Sequence, residues 1–393
     1  MSPTQPTPQC IALASFANMF SVGTLYALSI LQTQLPRLLD IPQSWAYAPF
    51  ACASLGLSLG VGTCSSLVKR LNARTAAAAG SVLWGVAVLL AGHFLMLPSF
   101  GYFHVALFVG GIGVGWTYLA VVVWIGGNLP VSSLARTAIG PLGFSSGAAG
   151  CFTLSSVLDF DGLALLQLGG YLKLAGGGFV TVGVTTLLLI PGVKKTVQPD
   201  QPASSFTGTL PGRFFFQVLL FFNALPGMTL FAAFLPTAKY HTTVNSPYII
   251  PLYLTPLALG GILSPTLSCL LRPKTLFSTL LTVRGIALLT FAYTPSKPTF
   301  LLTLGIILFA HGVGFSTLPG IIKSRLAQGS SASKSGLFAQ HYGLILTTWG
   351  LAGVVGSILN TLFISETDDF TPVAGILAVI VLSFAGCMRF VRF

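Results

Sequence analysis

Apolar residues in this chain come in long unbroken runs, neither alternating as in a half-buried strand nor confined to one helical stripe. A bilayer core of about 30 Å takes about 20 such residues per helix. Twelve runs of that length are present, at roughly 10–32, 46–68, 76–97, 103–126, 138–158, 165–190, 213–236, 247–271, 275–293, 298–319, 336–363 and 371–390. The pattern predicts an all-α membrane protein of twelve transmembrane helices, with the lipid bilayer as its solvent. Met1–Gln9 carries no Lys or Arg and the first run is too long for a signal-peptide core, so it reads as a retained first span.

Composition agrees with that reading. Only 7% of the 393 residues are Lys, Arg, Asp or Glu, against about 25% in a soluble domain, which leaves too few charges to cover a water-exposed surface. The mean hydropathy is +0.86. The net charge of +12 would suggest nucleic acid in a soluble protein, but the placement of the charges gives it another meaning. With the N-terminus in the cytosol, the inner loops hold 14 of the 19 basic residues, the outer loops hold Arg37, Lys239 and Lys297, and Lys173 and Arg284 fall within spans. Of the seven acids, Asp40, Asp159, Asp161, Glu366, Asp368 and Asp369 fall outside and only Asp200 inside. Basic residues in short loops stay cytosolic, so both termini are expected there, and no nucleic-acid partner is needed.

The longest polar connection, rich in Pro, Ser and Lys, spans 192–212 and divides the chain into 1–191 and 213–393. Short matches recur across it at offsets of 198 to 205 residues: Thr24-Leu25-Tyr26-Ala27 with Thr229-Leu230-Phe231-Ala232, Gly113-Val114-Gly115 with Gly312-Val313-Gly314, Arg74-Thr75 with Lys274-Thr275, and Arg136-Thr137 with Lys334-Ser335. Two six-helix halves in parallel repeat form the major facilitator architecture, in which substrate binds near the midplane between halves that rock about it. Gly56-x3-Gly60, Gly111-x3-Gly115 and Gly143-x3-Gly147 are small-residue seams for close helix packing. The glycines of 110–115 are not a nucleotide loop, since they lie inside an apolar span.

Several stretches resemble the oxalate:formate antiporter and monocarboxylate porter group of the major facilitator superfamily. They are Gly23-Thr24-Leu25-Tyr26-Ala27, the Gly111–Gly115 ladder followed by Tyr118, Asn128 and Pro130, the segment His311-Gly312-Val313-Gly314-Phe315-Ser316-Thr317-Leu318-Pro319, and Ser333-Lys334-Ser335-Gly336 with Tyr342-Gly343. The resemblance implies a cavity lined by helices 1, 4, 7 and 10, flanked by 2, 5, 8 and 11. Two departures stand out. Ser264 and Trp349 occupy positions where anion-binding members carry basic residues, and Lys69 stands where the loop after helix 2 has an Asp.

The candidate substrate site is an aromatic cage of Tyr26, Trp116, Tyr118, Phe231, Phe315 and Trp349, with His311 as a titratable group at mid-membrane. Arg284 is the one strong charge left near a bilayer centre. It would either pair with a substrate carboxylate or cap carbonyls within its own half. Lys69, Arg70 and Arg74 form the candidate gating loop. No His, Cys, Asp and Glu cluster has metal-ligand spacing, the six cysteines are scattered, and nothing points to catalysis or a cofactor.

The expectation is therefore a monomeric secondary transporter in the plasma membrane. It would move a small organic anion, a monocarboxylate, by alternating access, driven by protons or a counter-anion. The missing basic residues favour a neutral or zwitterionic metabolite as the alternative, and the altered loop allows a non-transporting receptor or assembly factor of the same fold.

Overall fold

The computed structural model describes residues 6–97, 100–130, 135–157, 164–191, 212–242, 252–329, 334–365, 367, 369–388 and 390. The linker at 192–211 lies outside them, as do the loop charges Asp159, Asp161, Lys194, Lys195, Asp200, Glu366, Asp368, Arg389 and Arg392.

The described helices form twelve runs. The first six are α1 (Pro8–Leu39), α2 (Gln43–Leu71), α3 (Ala73–Phe94), α4 (Phe100–Asn128), α5 (Ala135–Val157) and α6 (Leu165–Leu189). The second six are α7 (Arg213–Ala232, continued by Phe234–Thr242), α8 (Thr255–Leu270), α9 (Pro273–Tyr293), α10 (Lys297–Gly329), α11 (Lys334–Phe363) and α12 (Thr371–Cys387). Each expected run corresponds to one of them. The tenth outgrows its apolar run: its 33 residues make about 50 Å of helix, against a core of about 30 Å. The excess is the polar end around Lys323, Ser324 and Arg325, which needs no bilayer.

Local signals set the boundaries. Thr7 caps α1 by accepting from the Cys10 N–H at 3.3 Å, with Pro8 in the first turn. Asn72, at φ 84°, is the whole turn between α2 and α3, and its side chain accepts from the Thr75 N–H at 2.9 Å.

The same partnerships occur in both halves. α1 packs on α5, α2 on α4 and α3 on α6, and correspondingly α7 packs on α11, α8 on α10 and α9 on α12. These are two pseudo-symmetric six-helix bundles. Glycines set the close approaches. The Gly56-x3-Gly60 and Gly111-x3-Gly115 seams lie against each other, so that a Cβ on Gly56 would strike the Phe108 carbonyl and one on Gly111 the Ala53 carbonyl. Between the bundles, α2 runs along α11 and α5 along α8. Ser58 donates to the Thr347 carbonyl at 2.7 Å across the first of these seams.

Two helices break their regular hydrogen bonding at mid-membrane, at matching places. α1 turns 3-10 over Thr24–Ser29. α7 stops at Ala232, where the Ala233 N–H reaches back only three residues, to Leu230 at 3.1 Å. Such mid-helix irregularity marks hinges and functional positions, and here it brackets Tyr26 and Phe231.

Candidate functional site

Aromatic rings from both bundles converge on the interface at this level. Tyr26 of α1 stacks on Phe231 of α7, with ring centroids 3.8 Å apart and planes 9° apart. The Tyr26 hydroxyl lies 3.1 Å from His311 Nε2 of α10, a buried hydrogen bond that joins the two halves. Tyr118 of α4 meets Trp349 of α11 at 4.7 Å and Phe315 of α10 at 6.3 Å, and Phe315 meets Trp349 at 4.9 Å. All six are buried. All but Phe231, which lies behind Tyr26, line a central cleft of about 20 Å³, room for about one water, so the halves are closed on each other at this level. No Lys, Arg, Asp or Glu lines this cleft among the described residues.

Not every expected residue joins the cage. Trp116 is only half-buried, and its indole N–H donates to Thr63 on α2 at 3.0 Å. Two residues along a helix rotate a side chain by about 200°, so Trp116 and Tyr118 cannot face the same way. Phe144 of α5, which the sequence reading passed over, does line the cleft, 5.3 Å from Tyr26 and 5.6 Å from both Tyr118 and Trp349. Its flanking glycines explain both its place and its being missed. A Cβ on Gly147 would strike the Phe20 carbonyl and one on Gly143 would strike Met19. The Gly143-x3-Gly147 seam thus draws α5 against α1 and delivers the ring between its glycines into the centre. An aromatic framed by a small-residue seam is the available signal.

Arg284 is fully buried behind the cage. It donates from Nη1 to the Asn223 carbonyl at 2.6 Å and from Nη2 to Asn223 Oδ1 at 3.3 Å. Of the two roles open to it in the sequence, this contact matches carbonyl capping within its own half. Among the described residues Arg284 has no carboxylate partner, and Arg284 Nε, Asn223 Nδ2 and His311 Nδ1 are buried without hydrogen bonds. Gly227 and Gly314 make room for this cluster: a Cβ on Gly227 would strike the His311 ring, and one on Gly314 the Asn223 amide.

In the loop after α2, the hydrogen bonds shown for Arg74 stay within the first bundle. Lys69 and Arg70 end α2 exposed. Arg74 reaches the end of α6, donating to the Ile190 carbonyl and to the Leu187 carbonyl at 3.4 Å. A polar contact that does cross the halves is at the Gly126 carbonyl: Arg136 of α5 donates to it at 2.7 Å from within the first bundle, and Lys323 of α10 approaches it at 3.5 Å from the second. Lys323 counts in the sequence only as one more cytosolic loop charge, and its carbonyl partner carries no sequence signal.

No family model matches the chain, and no curated protein matches its sequence. Solved structures do match in fold. A crystal structure of the nucleoside transporter NupG aligns over 98% of this chain and 99% of its own, with a TM-score of 0.65 at 16% identity. The structure of a D-xylose-proton symporter aligns over 96% and 97%, with a TM-score of 0.65 at 15% identity.

The chain has the major facilitator fold. The aromatic cleft lies where residues of both bundles meet. Larger depressions exist, including one of about 520 Å³ between α8, α9 and α10. It is lined by residues such as Leu259, Val283 and Ile306 and lies away from the interface between the bundles.

Proposed function

We propose that this protein is a secondary transporter of a small organic metabolite, working by alternating access with the substrate held in the aromatic cleft. The observation that carries this reading is the Tyr26–His311 hydrogen bond, which ties α1 of one bundle to α10 of the other inside a cage of rings. Opening either side must part that bond and the Tyr26–Phe231 stack with it. The freed hydroxyl, imidazole and ring faces are then the groups that meet a substrate. Tyr26, Tyr118, Phe144, Phe231, His311, Phe315 and Trp349 form the proposed site.

The absence of fixed charge among the described lining residues favours a neutral or zwitterionic substrate over the monocarboxylate that the family resemblance implies. A buried carboxylate needs a paired, hydrogen-bonded counter-charge. The monocarboxylate reading retains one support: Arg284 is a buried cation whose Nε has no hydrogen-bond partner, and a substrate anion drawn toward Asn223 would supply one. Protons or a counter-solute provide the driving force, and the proposed setting is the plasma membrane.

Uptake by proteoliposomes of purified protein, with competition by a panel of acids, amino acids and uncharged metabolites, separates the two substrates. Inhibition by uncharged compounds alone supports the neutral reading, and inhibition by acids alone supports the monocarboxylate. Uptake left intact by Tyr118→Phe, Trp349→Leu and His311→Ala together would show that the site lies elsewhere.

A further inference from the structure

The cleft also carries information about substrate shape. Most of its ring contacts are tilted or edge-on, with centroids between 4.6 and 6.3 Å. Tyr26 on Phe231 is the exception, nearly parallel at 3.8 Å, closer than the 4.5–7 Å that aromatic pairs commonly adopt. These two rings are also internal counterparts, related by the 205-residue offset that aligns Thr24–Ala27 with Thr229–Ala232. One belongs to each bundle, so they face each other across the pseudo-symmetry axis. Each sits where its helix loses regular hydrogen bonding. The contact is thus made by one irregular segment from each bundle.

Resting on the transporter reading above, we propose that the substrate is an uncharged planar conjugated ring bearing a hydrogen-bonding group on its edge. It enters between Tyr26 and Phe231 and replaces their mutual stack. Parting the bundles by the thickness of one ring frees two parallel aromatic faces. The same movement frees the Tyr26 hydroxyl and His311 Nε2, now 3.1 Å apart at the rim of the stack. Tyrosine hydroxyl and imidazole can each donate or accept, so they match a ring nitrogen, carbonyl or amide presented edge-on. Phe144, Phe315 and Trp349 line the cleft beside Tyr26 and His311, next to that stack.

Two other shapes fit poorly. A polyol needs a hydrogen-bond partner for each buried hydroxyl, but the lining side chains offer only the two tyrosines, His311 and an indole already donating to Met228 Sδ at 3.1 Å. A saturated ring of similar size would forgo stacking on both faces. With only about 20 Å³ open in the closed cleft, a ligand gains its place by displacing the stack.

The test is thermal stabilisation and uptake with matched pairs of compounds, nicotinamide against cyclohexanecarboxamide and uracil against dihydrouracil, on the full chain in detergent and in proteoliposomes. The planar member of each pair should stabilise the protein, and should do so at roughly tenfold lower concentration than its saturated partner, the discrimination that aromatic stacking typically provides. Phe231→Leu should abolish that preference, read as the ratio of planar to saturated partner within the variant, with an unliganded melting temperature modestly below wild type because a buried stacked ring is lost. Phe384→Leu, which removes a different stacked pair (Phe222–Phe384, 4.3 Å) away from the cleft, should keep it. Equal stabilisation by planar and saturated partners, stabilisation by none of the four, or a ring preference surviving Phe231→Leu would each overturn the proposal. Uptake without ring preference would overturn this inference and leave the transporter reading standing. Ring-selective binding without uptake would do the reverse.

Discussion

The two bundles share a fold but not an interior chemistry. In the first, Asn18 of α1 donates to Thr186 of α6 at 2.8 Å and accepts from Ser81 of α3 at 2.7 Å, while Trp84 of α3 donates to the Ser21 carbonyl at 3.0 Å. Asn18, Ser81, Trp84 and Thr186 are all neutral, and each hydrogen-bonds to another helix. In the second bundle the counterpart of Asn18, at an offset of 205, is Asn223, and the counterpart of Trp84, at an offset of 200, is Arg284. There α9 donates to α7 with a charge instead of an indole, and Arg284, Asn223 and His311 each keep a buried nitrogen unpaired. The first arrangement is a satisfied clasp that rigidifies its bundle. The second holds a desolvated cation beside the proposed substrate site, an arrangement that packing alone does not require.

Breaking the two clasps in parallel should expose that difference, most strongly at the asparagines. Asn223→Ala removes the side-chain hydrogen bond to a buried guanidinium, leaving only the backbone carbonyl, and should cost about 3 kcal/mol, the upper end for a bond to a charged group. Asn18→Ala leaves only neutral hydroxyls short of a bond and should cost about 1–3 kcal/mol. Unfolding in detergent measures both, and an equal loss would mean that the charge is compensated in some other way. Gly227→Ala forces a methyl into the His311 ring and should cost about 1–3 kcal/mol by overpacking, with uptake falling further than stability because the Tyr26 bond is displaced. Retained uptake would detach His311 from the site.

Trp84→Phe keeps the ring of the neutral clasp and loses its donor, for about 1 kcal/mol. Arg284→Met should change stability by less still, or raise it, because apolar isosteres of buried ions are commonly neutral or stabilising. If the arginine serves transport, uptake falls while the melting temperature holds. A large loss of stability would assign it to structure alone.

The smallest contrast is at the outer ends of α1 and α7. His241 of the second bundle lies 3.3 Å from Asp369 and accepts from the Phe370 N–H at 3.1 Å. The matching position in the first bundle is Pro36, which cannot titrate. Burial holds His241 below its ordinary range more strongly than Asp369 raises it. The unfolded chain therefore takes up the proton first as pH falls. Its contribution is complete above an ordinary histidine value of about 6.5 and is lost on acidification below it. His241→Phe should flatten the slope of melting temperature against pH in that range, and an unchanged slope would place the titrating group elsewhere.

The cage was legible in part because its members lie on spans whose inward faces the repeat already marks. Tyr26, Tyr118, Phe231, His311, Phe315 and Trp349 do come together. Trp116 does not, because helical rotation separates it from Tyr118, and apolar runs on all sides of α4 hide which face is inner. Phe144 stayed hidden for a related reason: a lone Phe between glycines looks like packing until α1 is seen against those glycines. Arg284 was conspicuous as a charge, but its partner is an asparagine carbonyl 61 residues away, and carbonyls have no sequence signature. Arg74, given to the gating loop, hydrogen-bonds in this structure to the carbonyls ending α6, acceptors that the sequence does not mark.

The sequence by itself determined the solvent, the number of spans and the twofold plan, because a bilayer imposes its demands span by span on contiguous residues. Only the tertiary structure decided the site. Its defining contacts join Tyr26 to Phe231 and to His311, positions 205 and 285 residues apart in the sequence. Their meeting depends on how glycine seams set helices against each other, and on helix breaks that turn two rings face to face.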